Sequence, residues 1–257
     1  LQDRFIEMIS HEYRTPLTTI LTTTELLERY GSKISESKKQ RYTQRIKQSV
    51  RHMIRLLNDV LLLEQSDRSL EPFGFEKIDL ITACRDVVET FQLTAPENLS
   101  IHYFQHNCPE TLWVAWQEIT MQQILGNLLS NAVKFSPQGG RIQVELLYEP
   151  LTVQAIADGI LILRVQDEGI GIPAIDQPQV CDRFYRGQNI GTIGGTGLGL
   201  TLVQRYVNLL GGTLQIQSSS QGDRLLSSPL NSYTPNSYTP KGTVVRVTLP
   251  ICLQSLL

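Results

Sequence analysis

In the first quarter of the chain, apolar residues recur at steps of three and four: Ile6, Ile9, Tyr13, Pro16/Leu17, Ile20 and Leu27. After Gly31-Ser32 the pattern resumes as Tyr42, Ile46, Met53, Leu56, Val60 and Leu63. That spacing keeps one face of a 3.6-residue helix apolar, and it predicts two long amphipathic helices joined by a short turn. Through residue 68 the only glycine is Gly31 and the only proline Pro16, so little interrupts them. Two helices alone bury too little surface. A homodimer that closes a four-helix bundle is the simplest remedy.

Glu71-Pro72-Phe73-Gly74 then breaks the periodicity and reads as a linker. Beyond it, strand-like runs at 99–104, 112–115, 141–148, 161–165, 212–217 and 243–249 interleave with helical stretches near 80–93, 118–135 and 197–210. That grammar predicts a mixed α/β domain. The expected division is a helical hairpin over 1–70 and an α/β sandwich over 71–257. Asn231–Pro235 (NSYTP) repeats at once as Asn236–Pro240, a Ser/Pro/Tyr-rich piece that predicts a long surface loop.

Composition narrows the classes. The 257 residues hold 23 Lys+Arg against 25 Asp+Glu, a net charge of −2 that argues against a nucleic-acid partner or contact with anionic lipid. No uncharged apolar run approaches the roughly 18 residues of a membrane span. The chain opens at Leu1 without Met, and we expect a soluble, cytoplasmic piece of a longer protein with room upstream for a sensor or membrane region. Cys84, Cys108, Cys181 and Cys252 lie far apart, favouring neither a zinc site nor a disulfide framework. His102, His106 and Cys108 cluster on a predicted strand with no acidic third ligand, which disfavours a metal there.

Three constellations ask for chemistry. With Ile6 and Ile9 as a and d of a heptad, His11 falls at f, away from the seam. It sits in Ser10-His11-Glu12-Tyr13-Arg14-Thr15-Pro16-Leu17, with Thr15 one turn on along its face. Pro16 within a helix removes a backbone hydrogen bond and costs about 3 kcal/mol, so a helix that keeps it beside an exposed His–Glu pair points to function. In the second, Asn127, Asn131 and Lys134 fall at i, i+4 and i+7 of one helix, opposite the apolar face of Ile124, Leu125, Leu128, Leu129 and Ala132. Asparagine and glycine are each roughly 0.5–1 kcal/mol worse than alanine in a helix. Amide oxygens can hold a hard cation, however, and a lysine one turn on can hold phosphate.

The third is glycine density. Ten of the 18 glycines lie between Gly169 and Gly212, as Asp167-Glu168-Gly169-Ile170-Gly171-Ile172-Pro173 and then Gly194-Gly195-Thr196-Gly197-Leu198-Gly199-Leu200 leading into a helix. Glycine lets backbone N–H groups approach a polyphosphate, and a helix start adds positive dipole. No Lys-Ser/Thr follows as in a Walker loop, and the turn comes too late for a Rossmann site. Asp182-Arg183-Phe184-Tyr185-Arg186-Gly187 sits between the clusters.

Together these motifs resemble the sensor histidine kinases of two-component signalling, in order and spacing, from Phe5 to Leu249. Ser10–Leu17 is similar to that family's phosphoacceptor box, Gln123–Phe135 to its N box, Asp167–Pro173 and Gly195–Leu200 to its two glycine boxes, and Arg183–Gly187 to the aromatic box between them. The resemblance implies a dimerisation and histidine-phosphotransfer hairpin followed by a catalytic ATP-binding α/β sandwich of the gyrase and chaperone type. It implies a protein-histidine kinase using Mg-ATP, a homodimer, and the receiver domain of a response regulator as partner.

Carried over, His11 is the phosphorylated nucleophile, Glu12 its base, and Thr15 the holder of a water for dephosphorylation. Asn127 ligates magnesium; Asn131 and Lys134 meet phosphates, beside Phe135. Asp167 accepts the adenine amino hydrogen, and Gly169 and Gly171 shape that pocket. Arg183, Tyr185 and Arg186 lie toward the phosphate end, with Gln188–Gly195 a short lid. Gly195, Thr196, Gly197, Leu198 and Gly199 complete the nucleotide contacts. Four positions depart from the family pattern: Tyr13 for leucine, Phe135 for tyrosine, Glu168 for Asn or Thr, and Gln117 for the N-cap aspartate. The loop Asp223–Pro240 is longer than usual. A nucleotide-binding pseudokinase scaffold and a protein that chiefly dephosphorylates its regulator are the rival readings. A gyrase-like ATPase leaves the His11 hairpin unexplained.

Overall fold

Helix-periodic patterning over the first quarter produces, in the computed structural model, the antiparallel helices α1 (Gln2–Tyr30) and α2 (Glu36–Glu64). The structure describes residues 2–30, 33–64, 76–117, 119–151, 157–191, 193–220 and 242–252; within these, the side chains of residues 2–9, 11, 12, 52, 55, 56, 58–64 and 76 fall outside the description. The 71–74 linker, the Gly31-Ser32 pair, Thr192, the NSYTP repeat and the long 223–240 loop therefore lie outside the described residues. The chain divides into two compact units, Leu1–Glu71 and Pro72–Leu257.

In the first unit, Tyr13, Ile20 and Leu27 of α1 and Tyr42, Ile46 and Met53 of α2 are half-buried, and Pro16 and Thr23 are buried. A threonine-rich stretch is a poor helix former, because free hydroxyls compete for the backbone. Here the hydroxyls of Thr19, Thr22 and Thr24 each turn back onto the carbonyl four residues earlier, at 3.0, 2.8 and 2.8 Å. A second apolar set, Leu17 and Leu21 on α1 with Val50, Ile54 and Leu57 on α2, stays exposed, Leu21 at 60% and Ile54 at 53%.

The second unit runs β1 (Glu76–Asp79), α3 (Leu80–Thr94), β2 (Leu99–His106), β3 (Trp113–Trp116), α4 (Ile119–Lys134), β4 (Gly140–Pro150), β5 (Gly159–Asp167), α5 (Gly199–Leu209), β6 (Thr213–Ser219) and β7 (Gly242–Ile251). Most elements lie within a residue or two of the spans the patterning predicts. β1 is unforeseen, because four residues reading Glu-Lys-Ile-Asp carry no usable alternation. β3 starts one residue later than expected, since the backbone of Leu112 is engaged elsewhere: its N–H donates to Asp79 Oδ1 and its carbonyl accepts from Leu80. β1 and β3 pair antiparallel; the other five strands form a sheet in the order β2-β4-β5-β7-β6, antiparallel except for β2 with β4.

Strict alternation decides the faces of that sheet. Ile142, Val144 and Leu146 of β4, Leu161, Leu163 and Val165 of β5, and Val245, Val247 and Leu249 of β7 are buried. On the opposite face Glu145 and Arg164 pair at 2.9 Å. α4 packs between α3 and α5 and onto β5, seating Met121, Ile124, Leu125, Leu128, Leu129 and Ala132 in the core. Its apolar face is the one its spacing predicts.

Asp79 ties the start of this unit together. Its side chain caps α3 by accepting from Ile81 N–H at 3.2 Å, accepts from the Thr82 hydroxyl, and holds Leu112 N–H at 2.8 Å. Burial raises its pKa, but those hydrogen bonds outweigh burial and the net shift is downward. Asp79→Ala should therefore destabilise the chain by about 1–2 kcal/mol, more than a simple cap loss, because Leu112 also loses its acceptor. Urea unfolding measures it; a change within about 0.5 kcal/mol contradicts this account.

Candidate nucleotide and phosphoacceptor sites

Period-two alternation along β5 puts Asp167 on the same face as Leu161, Leu163 and Val165, at the end of the strand where the core meets the loops. Its side chain is 7% exposed. Oδ1 accepts from Gly169 N–H at 2.9 Å and Thr243 N–H at 3.2 Å. Burial nevertheless dominates and lifts the carboxyl pKa to about 6, against the pull of those two donors. The turn that follows is pressed onto the end of α4. Ile170 N–H donates to the Phe135 carbonyl at 3.0 Å, and a side chain at Gly169 would run into that same carbonyl. This close approach explains the glycine. Ser218 Oγ accepts from Ile172 N–H at 2.8 Å, and Gln177 Nε2 bridges the carbonyls of Ile172 and Ser218. Glu168, one of the family departures, turns outward and accepts from Arg141 N–H at 3.0 Å.

The polar stripe of α4 faces the second glycine cluster. Asn127 spends its amide nitrogen on the Gln123 carbonyl at 2.6 Å. A Cβ built at Gly199 would stand 3.4 Å from Asn127 Oδ1 and 3.5 Å from Asn131 Nδ2. The oxygen of Asn127 is thus the atom presented toward the start of α5, and oxygen is the donor a hard cation takes. Lys134 Nζ lies 4.4 Å over the Phe135 ring and reaches the Gly195 backbone closely enough that a Cβ there would overlap it. Leu198, the residue before α5, is buried, and Thr196 Oγ1 accepts from Leu198 N–H at 3.3 Å. No side chain caps α5, and its first turn carries the partial positive charge of unpaired N–H groups.

Between the clusters, Phe184 takes a positive φ of 66° and donates its N–H to the Gly197 carbonyl at 3.1 Å. Gly197 itself adopts φ 70°, with the Tyr185 carbonyl where a side chain would begin. Arg183 is exposed; Arg186 Nη2 donates to the Ile193 carbonyl at 2.8 Å, closing the Gln188–Gly195 segment on itself. One residue escaped sequence reasoning altogether. Asp176 is wholly buried and accepts from the Tyr185 hydroxyl at 2.6 Å and from Gln188 N–H at 2.9 Å. In sequence it precedes Gln-Pro and reads as an ordinary turn residue; no local signal marks it. The hydrogen bond to Asp176, more than burial, pushes the Tyr185 phenol pKa up.

His11, Glu12 and Thr15 belong to the first unit. All three lie on α1, which continues unbroken through Pro16, and Thr15 is exposed. The side chains of His11 and Glu12, and hence the outward heptad position of His11, lie outside the described residues. Proline has no N–H to give to the carbonyl of Glu12 four residues before it. Asn127, Asn131, Lys134, Gly195 and Gly199 are brought together in the second unit, with Asp167, Gly169 and the Phe135 carbonyl in a neighbouring group.

Residues 116–252 match the family described as histidine kinase-, DNA gyrase B- and HSP90-like ATPase, and residues 1–69 match the His Kinase A (phospho-acceptor) domain. The sensor histidine kinase WalK of Bacillus subtilis (strain 168) is 33% identical over 217 residues, 83% of this chain and 34% of that protein. Among solved structures, the mycobacterial sensor histidine kinase MprB is 25% identical with a TM-score of 0.51, covering 70% of this chain and 100% of that one. Full-length ShkA, solved in complex with AMPPNP, has a TM-score of 0.57 at 23% identity over 98% of this chain and 47% of that one, a likeness of fold. The chain spans no more than half the length of the curated relatives considered. Among the described residues no helix is long and apolar enough to cross a membrane.

The raised pKa of Asp167 fixes the sign of a pH effect. Below the ordinary carboxylate pKa both folded and unfolded chains hold the proton. As pH rises toward about 6, the unfolded chain releases it first, so this group's contribution to stability falls over that window and is level above it. Asn at this position keeps the acceptor oxygen and cannot ionise. Asp167→Asn should therefore be more stable than the native chain at pH 7, by roughly 1–3 kcal/mol, with the gap closing near pH 4. Denaturant unfolding across pH 4–8 is the measurement; a variant less stable at pH 7 than at pH 4, relative to native, would refute it.

Proposed function

The chain belongs to the sensor histidine kinases, and on that footing we propose that it is an ATP-dependent protein-histidine kinase that phosphorylates His11 and passes the phosphoryl group to an aspartate in the receiver domain of a response regulator. The observation that carries the reading is the convergence of the α4 amide and lysine stripe on the Gly195–Gly199 backbone, next to the buried carboxylate of Asp167. That arrangement suits adenine-edge recognition in one group and polyphosphate binding in the other. In this reading residues 1–70 dimerise and carry the phosphoacceptor, and residues 71–257 bind the nucleotide. The protein acts in the cytoplasm.

Asp167 as carboxylate accepts from the exocyclic amine of adenine, while Asn131, Lys134, Arg183, Arg186 and the first N–H groups of α5 hold the phosphates. Asn127 Oδ1 would hold magnesium, and the ion when bound would supply neutralisation of the charge that builds on the phosphates during transfer. The ring nitrogen of His11 attacks the γ-phosphorus; the new P–N bond forms as the bond to the bridging oxygen breaks, and that electron pair leaves with ADP. Glu12 takes the proton from the other ring nitrogen. The second apolar set of the hairpin supports a homodimer: covering a half-exposed leucine is worth roughly 1–2 kcal/mol, and Leu17, Leu21, Ile54 and Leu57 all await cover.

With γ-labelled ATP and magnesium, the protein should acquire label that is acid-labile and base-stable, as a phosphoramidate is. The label should vanish in His11→Gln and in Asn127→Ala. Label that survives acid, or persists in His11→Gln, refutes the reading; normal turnover by Asn127→Ala refutes the metal assignment.

Thr15, exposed one turn beyond His11, supports a second activity at the same turn: holding a water in line with a regulator's aspartyl phosphate. Glu12→Ala should slow autophosphorylation by roughly 10²–10⁴-fold, the span of general acid–base catalysis. Thr15→Ala should leave autophosphorylation within about twofold and depress dephosphorylation of the cognate regulator by tenfold or more. Equal losses in both assays for both variants would show the turn to be a structural unit only.

A further inference from the structure

We infer that Asp176 is a positioning residue for the triphosphate end of the nucleotide, acting by anchoring the base of the lid. The inference rests on the ATP-binding reading above. Three observations carry it. Asp176 is wholly buried, and among the described residues neither ion pair includes it. Its two oxygens are instead divided between Tyr185 and Gln188: Oδ1 takes the phenol hydroxyl at 2.6 Å and Oδ2 the backbone N–H at 2.9 Å. Those residues flank Arg186 and Gly187, so one carboxylate grips the chain on both sides of a phosphate-end cation.

The physical consequence follows from desolvation. A buried carboxyl group depends on its hydrogen-bond donors, and releasing either leaves a polar oxygen unsatisfied in a dry site. Tyr185 and Gln188 are therefore held far more firmly than surface residues in irregular structure. Gly187 lets the chain lie close over the carboxylate; a Cβ there would stand 3.1 Å from Oδ2. Beyond Gln188 a short helical turn spans Gln188–Ile190, and Asn189 Nδ2 fastens it to the Gly171 carbonyl at 2.9 Å. Arg186 then reaches forward to the Ile193 carbonyl at 2.8 Å. The stretch Tyr185–Ile190, which runs into the start of the Gln188–Gly195 segment, is thus fastened to Asp176 and to the Gly171 loop. What Asp176 positions is the backbone of Arg186 and the origin of the segment that leads to Gly195 and α5. Adenine lies with Asp167, in the other group of residues. Asp176 should therefore matter for the phosphates and not for the base.

The test compares binding of Mg-AMPPNP with binding of adenosine, by calorimetry, in the native chain, Asp176→Ala, Asp176→Asn and Tyr185→Phe. Loss of a hydrogen bond to a carboxylate predicts that Asp176→Ala weakens AMPPNP binding about tenfold or more while adenosine binding stays within about twofold. Tyr185→Phe removes one of the two links and should fall between. Asp176→Asn can still accept from Gln188 N–H and donate to the Tyr185 oxygen, so it should bind AMPPNP nearly as the native chain does. Equal weakening of both ligands, weakening of neither, or an Asp176→Asn variant as weak as Asp176→Ala overturns the inference. Should Asp176→Ala fail to fold, Tyr185→Phe decides alone, unchanged AMPPNP affinity being the overturning result. Hydrogen exchange needs no nucleotide: the Gln188 amide should exchange slowly in the native chain and at least tenfold faster in Asp176→Ala, and equal rates overturn the inference. A native chain that shows the slow amide but binds no AMPPNP would refute the ATP-binding reading instead, leaving the anchor intact.

Discussion

Helix α4 must satisfy two demands at once, and the second unit is arranged around that double duty. One face, Met121, Ile124, Leu125, Leu128, Leu129 and Ala132, is sealed against the sheet between α3 and α5. Its burial holds the helix in rotation, and rotation alone then sets where Asn127, Asn131 and Lys134 point. The end of the same helix supplies the Phe135 carbonyl that receives Ile170 N–H and excludes any side chain at Gly169. Core packing and site geometry are therefore one constraint here. A mutation that let α4 turn by a fraction of its pitch would disperse both groups of site residues together.

Two buried aspartates illustrate different uses of one expensive group. Asp167 keeps one oxygen on backbone N–H donors at the rim of the core, and burial holds its pKa at about 6. A residue so placed weakens the fold at neutral pH, and perturbed groups of this kind cluster at functional sites. Asp176 shares both its oxygens between donors of one short segment and has no exposed surface. The first sits at the end of a strand, where the core meets the loops. The second organises chain that has little regular structure of its own, where backbone hydrogen bonds would otherwise be few.

The hairpin obeys a simpler rule. Its inner faces are half-buried between α1 and α2, while Leu17, Leu21, Val50, Ile54 and Leu57 remain uncovered. Threonine hydroxyls fold back onto the carbonyls four residues earlier, which satisfies them without adding to helix stability. Such a helix does not rely on propensity, and its stability comes from what packs against it.

Much of this protein was legible in sequence because periodicity is a local property. Steps of three and four yield α1, α2 and α4, the last with its buried apolar face, and alternation yields the five long strands; Leu17, placed on the α1 stripe, is instead exposed. The order and spacing of the motifs resemble those of the sensor histidine kinases, and the family matches agree. Strand β1 was not legible: Glu-Lys-Ile-Asp is extended only because β3 pairs with it. Nor was Asp176, whose burial and both partners depend on how Tyr185 and Gln188 return over it, nine and twelve residues later. The raised pKa of Asp167 likewise required the packed sheet, because desolvation is a property of everything that surrounds a group. Sequence by itself determined the family and which element bears each candidate residue. Tertiary structure decided which of them meet, because side-chain contact and dielectric are set by distant segments brought together in the fold.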